Sequence, residues 1–191
     1  MKSSLRVLAA CVTLVGTACS AEKRNVDTAA SVATPAPSDN SVSSWTVTAF
    51  GIGPLHAGMS TREGVAVLQG AGVTATADSS KECHYLAWSG PQGVRVMLDG
   101  GVVARVQVDS GSIATAEGAK IGDTEARVQG LYTGRVAVQP HKYTTGGHYL
   151  VVTPPAPSDS AFRIVFETDG KSVKKYRAGR QPQVSYVEGC G

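Results

Sequence analysis

Over the second half of the chain, apolar residues recur at every second position. Val94, Val96 and Leu98 alternate with Arg95, Met97 and Asp99, and Ala104, Val106 and Val108 follow with the same spacing. A period of two marks strands with one buried face, and Asp99-Gly100-Gly101 between the runs predicts a hairpin turn. The design repeats downstream. Phe162, Ile164 and Phe166 alternate with Arg163, Val165 and Glu167, and Asp169-Gly170 turns the chain into a run over 172–178. Further strands are expected at 82–88, 135–139, 148–153 and 184–187.

Two segments break the alternation with helical spacing. Ser60 and Glu63 form a capping box, which predicts a helix over 61–69 with Val65 and Leu68 on its apolar face. Gly64 weakens that helix by about 1 kcal/mol. A second helix starts at Gly122-Asp123-Thr124-Glu125 and carries Val128, Leu131 and Tyr132 at i, i+3 and i+4. Helix starts and hairpin turns recur at nearly the same offset, and the Pro154-Pro155-Ala156-Pro157 loop accounts for the difference. Helices this short are marginal alone and must lean on a sheet. The expected fold is therefore α+β: two tandem helix-plus-antiparallel-meander units, about 45–112 and 113–191, with the helices packed on one sheet face.

The N-terminal pattern is different. Lys2 and Arg6 precede a small-residue and apolar run over 7–18, too short to span a bilayer as a permanent helix. Its ending, Val15-Gly16-Thr17-Ala18-Cys19, resembles the lipobox of bacterial lipoproteins. That resemblance implies a signal peptide over 1–18 and lipidation of Cys19 with diacylglyceryl and N-acyl (palmitate-type) chains. Plain secretion with cleavage near Ala18 stays open as the alternative. Cys11 sits in a similar local context, but cleavage there would leave charges inside the space an apolar core needs. Ser20 in the second mature position favours the outer membrane over retention at the inner one, by the same resemblance. Residues 20–44 are rich in Ala, Ser, Thr and Pro and contain no aromatic residue. Such a stretch suits a disordered tether after the lipidated cysteine, with a globular domain over 45–191.

Composition narrows the function classes modestly. The net charge of +3 becomes +1 once Lys2 and Arg6 are removed, which leaves no global drive toward nucleic acid. A local basic run holds Lys171, Lys174, Lys175, Arg177 and Arg180. Beyond Cys11 and Cys19, the chain keeps Cys83 and Cys190. Two thiols in an exported domain are expected to join, which would pin the C-terminus to a strand of the first half. In the chain-entropy view, closing so long a loop is worth about 4–5 kcal/mol.

The Gly58-Met59-Ser60-x-x-Glu63-x-x-x-x-Leu68 pattern, followed by a meander, resembles the β-lactamase-inhibitor-protein-like fold and the BamE (SmpA/OmlA) lipoproteins. The region from Gly51 to Cys190 also resembles uncharacterised proteobacterial envelope lipoproteins. The traces are Gly53-Pro54-Leu55, Phe166-Glu167-Thr168-Asp169-Gly170, Tyr176-Arg177-Ala178-Gly179 and Tyr186-Val187-Glu188-Gly189-Cys190. The resemblance implies protein binding through an exposed sheet face or loops.

No nucleophile elbow, phosphate loop or dinucleotide fingerprint occurs, and His56, His84, His141 and His148 lack metal-ligand spacing. The expectation is a non-enzyme with no catalytic residue, metal or cofactor; whether it takes a small molecule stays open. Period two places Arg95, Met97, Val103, Arg105, Arg163, Val165, Val173, Lys175 and Arg177 on the outer sheet face. There, arginines mixed with Met and Val suit a protein partner, although a solvated polar face is the ordinary alternative. Binding candidates are thus Arg95, Arg105, Lys175 and Arg177, with Tyr143 and His148 from the segment around 139–149. The expected protein is a lipid-anchored, non-catalytic binding module of inhibitor or scaffold type, meeting an envelope protein and no nucleic acid. A structural lipoprotein that touches peptidoglycan or acidic head groups through 171–180 is the alternative, and an enzyme the third.

Overall fold

The capping box closes as the sequence requires. Ser60 Oγ accepts from the Glu63 amide at 3.2 Å while Glu63 Oε2 accepts from the Ser60 amide at 2.8 Å. This starts α1 at Thr61–Gly70, and α2 at Glu125–Leu131 is capped by Thr124, whose Oγ1 accepts from the Arg127 amide at 3.2 Å. The computed structural model describes residues 41–190; the signal segment, Cys11, Cys19 and most of the expected tether lie outside them. The strands are β1 (Val47–Thr48), β2 (Gly51–Ile52), β3 (Leu55–His56), β4 (Ala75–Thr76), β5 (Cys83–Tyr85) and β6 (Ala87–Trp88). They continue with β7 (Val94–Asp99), β8 (Val102–Val108), β9 (Val136–Pro140), β10 (His148–Val152), β11 (Phe162–Thr168) and β12 (Val173–Arg180). Replacing Ser60 by alanine is expected to cost about 1 kcal/mol, because the Glu63 amide loses its acceptor and Glu63 Oε2 loses the hydroxyl donor; urea unfolding checks it.

The expectation of two helix-plus-meander units packed on a sheet is corrected. The protein is mostly β, and one antiparallel sheet runs β5-β7-β8-β12-β11-β10-β9. β8 and β12 pair through Tyr176–Val108 to Gly179–Arg105, so neither hairpin keeps a bare inner edge. An edge strand exposes a row of unsatisfied amides and carbonyls, and pairing the two removes that cost. Gly179 permits the junction, since a Cβ there would collide with the Ala104 carbonyl and the Arg105 backbone. The helices cannot carry a layer of their own. Gly64 and Leu68 of α1 and Val128 of α2 are their buried residues. The rest of the inner face is closed by Trp45, Val47, Ile52 and Leu55, from the N-terminal stretch and the small β1-β2-β3 sheet.

Two bulges alter the alternation read from sequence. Leu98 faces Val103 while Met97 faces Arg105, so Ala104 is the extra residue. Thr168 faces Val173 while Glu167 faces Lys175, so Lys174 is extra. Each insertion turns one neighbour over. Val103 and Val173, expected outside, join the core with Val106, Val108, Ile164 and Phe166. The strand expected at 184–187 is also corrected. Residues 183–185 form a 3-10 turn, and the whole segment 181–190 lies across the outer face of the sheet as a strap.

Candidate functional site

The strap decides what the outer face can do. Cys190 joins Cys83 across a Cα–Cα distance of 5.5 Å, so the last residues are bound to edge strand β5. Val184 is fully buried against Tyr149 and Val165, with Val151 and Val187 around it, a small apolar cluster separate from the main core. Gly189 has φ 75°, a conformation that strains other residues, and a Cβ there would displace the Tyr85 hydroxyl.

Beneath the strap lie charged groups that the sequence places in solvent. Arg105 and Arg177 are 1% and 3% exposed, and Glu167 is 2% exposed. Arg105 as a solvent-facing binding residue is therefore corrected, and so is Arg177; segment 181–190 covers both. Arg105 Nη1 donates to the Gln183 carbonyl at 3.0 Å and to that of Tyr186, while Nη2 donates to Gln107 Oε1 at 2.9 Å. Gln107 passes the contact on to Asp109 at 2.6 Å, and Asp109 accepts from Arg95 Nε at 2.6 Å. Every acceptor of Arg105 is neutral, and its buried Nε has no partner among the described residues. Burial and the neighbouring Arg177 charge pull the Arg105 guanidinium below its ordinary pKa.

The second half of the layer centres on Glu167. Arg177 Nη1 donates to its Oε1, Lys175 Nζ lies 3.1 Å from Oε2, and His141 Nε2 lies 3.3 Å from Oε2. Burial pushes the Glu167 carboxyl up, but Arg177 and Lys175 outweigh it and hold the group below the usual carboxylate range. Arg177 Nε donates to the Val184 carbonyl, and its guanidinium sits over the Tyr149 ring. His141 stacks on the same Tyr149 ring, with centroids 4.5 Å apart.

The remaining sequence candidates occupy separate places. Arg95 is half-exposed, paired with Asp109 and lying over the Tyr85 ring. Lys175 is half-exposed beside Glu167. His148 bonds Glu125 Oε1 through Nδ1 at 2.9 Å, which ties β10 to the first residue of α2. Tyr143 is 58% exposed; its hydroxyl donates to Glu188, and Lys142 Nζ lies over its ring and 3.8 Å from Glu188. Tyr186, two residues before Glu188, is 42% exposed. Arg105 and Arg177 thus gather under the strap with Lys175 at its margin, while Tyr143 stands at its rim.

Glu167, His141, Gln183 and Val184 were missed as members of one site. Alternation was the available signal for the first, since it sets Glu167 on the same face as Arg163 and Val165; its place opposite Lys175 came only with the bulge at Lys174. Nothing local in 181–190 announces a strap. On the inner face, a hollow of about 240 Å³ is lined by Phe50, Tyr132, Arg135, Val152, Pro154 and Ile164, with Glu117 at its edge. Its Tyr132 hydroxyl already bonds Thr115 at 2.6 Å, and burial raises its pKa. Among the described residues, no group of three or more His, Cys, Asp or Glu side chains is placed to hold a metal ion. No helix among them is long and apolar enough to cross a membrane.

No protein-family model and no curated protein matches the chain. A similar solved structure is that of the uncharacterized protein yfeY from Escherichia coli. It is 15% identical, and the match covers 71% of this chain and 99% of that one, with a TM-score of 0.43. A likeness at that level carries no argument about function.

Proposed function

We propose that the chain is a lipid-anchored protein of the bacterial envelope that works as a non-catalytic protein-binding module, an inhibitor or a scaffold. Lipid on Cys19 would hold it at the outer membrane, facing the periplasm. The disulfide between Cys83 and Cys190 fits an oxidising compartment. The observation that carries the binding reading is the pair of exposed tyrosines at the strap rim, Tyr143 and Tyr186, around the Lys142–Glu188 contact. Tyrosine is enriched at interfaces, where it brings contact area with little side-chain entropy to lose, and a charged rim around it is the usual anatomy.

The basic run over 171–180 supports a cell-wall or lipid-headgroup role less well. Lys174 lies 2.9 Å from Asp169, Lys175 is paired with Glu167 and Arg177 is buried, leaving Lys171 and Arg180 as its exposed cations without such a neighbour among the ion pairs.

A photo-crosslinking residue placed at Tyr143 or Tyr186 in living cells tests the reading, with exposed Arg62 on α1 as the control position. Discrete protein adducts are expected from the two rim positions and none from Arg62. Absence of adducts at both rim positions overturns it. Metabolic labelling with palmitate is expected to mark the wild-type chain and not the Cys19→Ser variant.

A further inference from the structure

We propose that the outer sheet face is a peptide-binding groove, occupied in cis by residues 183–188 and latched by the Cys83–Cys190 bond, whose partner is a peptide that makes the same tight turn around an aliphatic anchor. The inference does not rest on the rim tyrosines being exposed, and its test involves no envelope partner.

The strap makes ligand-like contacts. It is not a strand of the sheet; side chains grip its main chain instead. Arg105 takes the carbonyls of Gln183 and Tyr186, and Arg177 takes that of Val184. Guanidinium-to-carbonyl contacts are indifferent to side-chain identity, so any peptide that takes up the same 3-10 turn can supply them. Selectivity comes from three side chains. Val184 fills the pocket of Tyr149 and Val165, Gln183 Nε2 donates to Asp99 Oδ2 at 3.0 Å, and Glu188 lies beside Lys142 and Tyr143. The preferred ligand therefore has a polar residue, an aliphatic residue directly after it and an acidic residue four positions on.

The groove can open without loss of the fold. No strap residue belongs to the main hydrophobic core, which is built from the inner face and its covering segments. Opening also returns Arg105 and Arg177 to water or to a new set of carbonyls, so no dry unpaired charge results. Both cysteines are half-buried and within reach of a reductant. A dithiol would attack one sulfur of the Cys83–Cys190 bond, release the other as a thiolate and then close its own disulfide. The reductant loses two electrons, which the two cysteines take up with two protons. The groove is thus poised for a thiol-dependent exchange of its own strap for a partner's segment.

A tethered strap competes at high effective concentration even when reduced, so the test must also weaken its anchor. The full chain carrying Cys83→Ser, Cys190→Ser and Val184→Asp is titrated against a labelled peptide with the sequence of residues 182–188, by fluorescence anisotropy. Binding is expected to be at least tenfold tighter than to the oxidised wild-type chain. The same peptide with aspartate in place of the valine that corresponds to Val184 is expected to bind at least tenfold more weakly, as is the wild-type peptide to the variant with Arg105→Gln added. Hydrogen exchange over 183–187 and near-ultraviolet dichroism of the stacked Trp45 and Trp88 report on strap and fold. Three outcomes overturn the proposal: equal binding to both chains, no binding to the variant, or loss of the tryptophan signal when the latch and anchor are removed.

Discussion

Glu167→Ala is expected to lower folding stability by about 3–5 kcal/mol, measured by urea unfolding at neutral pH. The carboxylate is 2% exposed and is the anionic partner of Arg177, with Lys175 and His141 also directed at it. Removing it leaves a guanidinium buried beneath the strap with no counter-charge, and uncompensated burial is costlier than the pair itself is worth. Glu167→Gln keeps an acceptor without the charge, so a smaller loss is expected. The sign of the pH effect follows from the direction of the shift. The folded carboxyl titrates below its ordinary range, so the unfolded chain binds the proton first on acidification. Its contribution is complete above the ordinary glutamate value of about 4.3 and fades as pH falls through the folded value. The Gln variant is expected to lose that acid-limb dependence while otherwise unfolding cooperatively.

Joint replacement of Cys83 and Cys190 by serine is expected to cost about 2–5 kcal/mol, seen as a lower urea midpoint. The bond spans 107 residues and ties the strap to edge strand β5, so its removal restores freedom to the unfolded chain and to the strap together. The two effects separate by site. Hydrogen exchange is expected to rise first over 181–190, whose anchors are Val184 and the arginine-to-carbonyl contacts, and only afterwards in β7, β8, β11 and β12. Simultaneous exchange of strap and central strands would mean that the strap is part of the cooperative core. At a total stability ordinary for a domain, about 5–15 kcal/mol, the variant remains folded at 25 °C.

Local signals in the chain were enough for its local structure. The capping box fixed the start of α1, the Gly122-Asp123-Thr124-Glu125 run that of α2, and Asp99-Gly100-Gly101 and Asp169-Gly170 the two long hairpins. Export logic paired Cys83 with Cys190 before any distance was known, because only two thiols were left for the folded domain. These features depend on neighbours a few residues apart, or on counting.

Assembly was different. Whether two hairpins stand as separate units or share a sheet depends on edge pairing between residues 68–74 positions apart in sequence, and Gly179 reads as an ordinary glycine until β8 lies against it. Bulges at Ala104 and Lys174 reversed Val103 and Val173, since a single inserted residue flips the face of its neighbour. The fate of the outer face hung on ten residues that cross it. An alternating pattern tells which side chains share a face, but it says nothing about whether water or another segment of chain lies over that face. Alternation in sequence thus put Arg105 and Arg177 together on one side of the sheet. Only the tertiary path of 181–190 decided that this side is dry, because burial is set by contacts between distant segments.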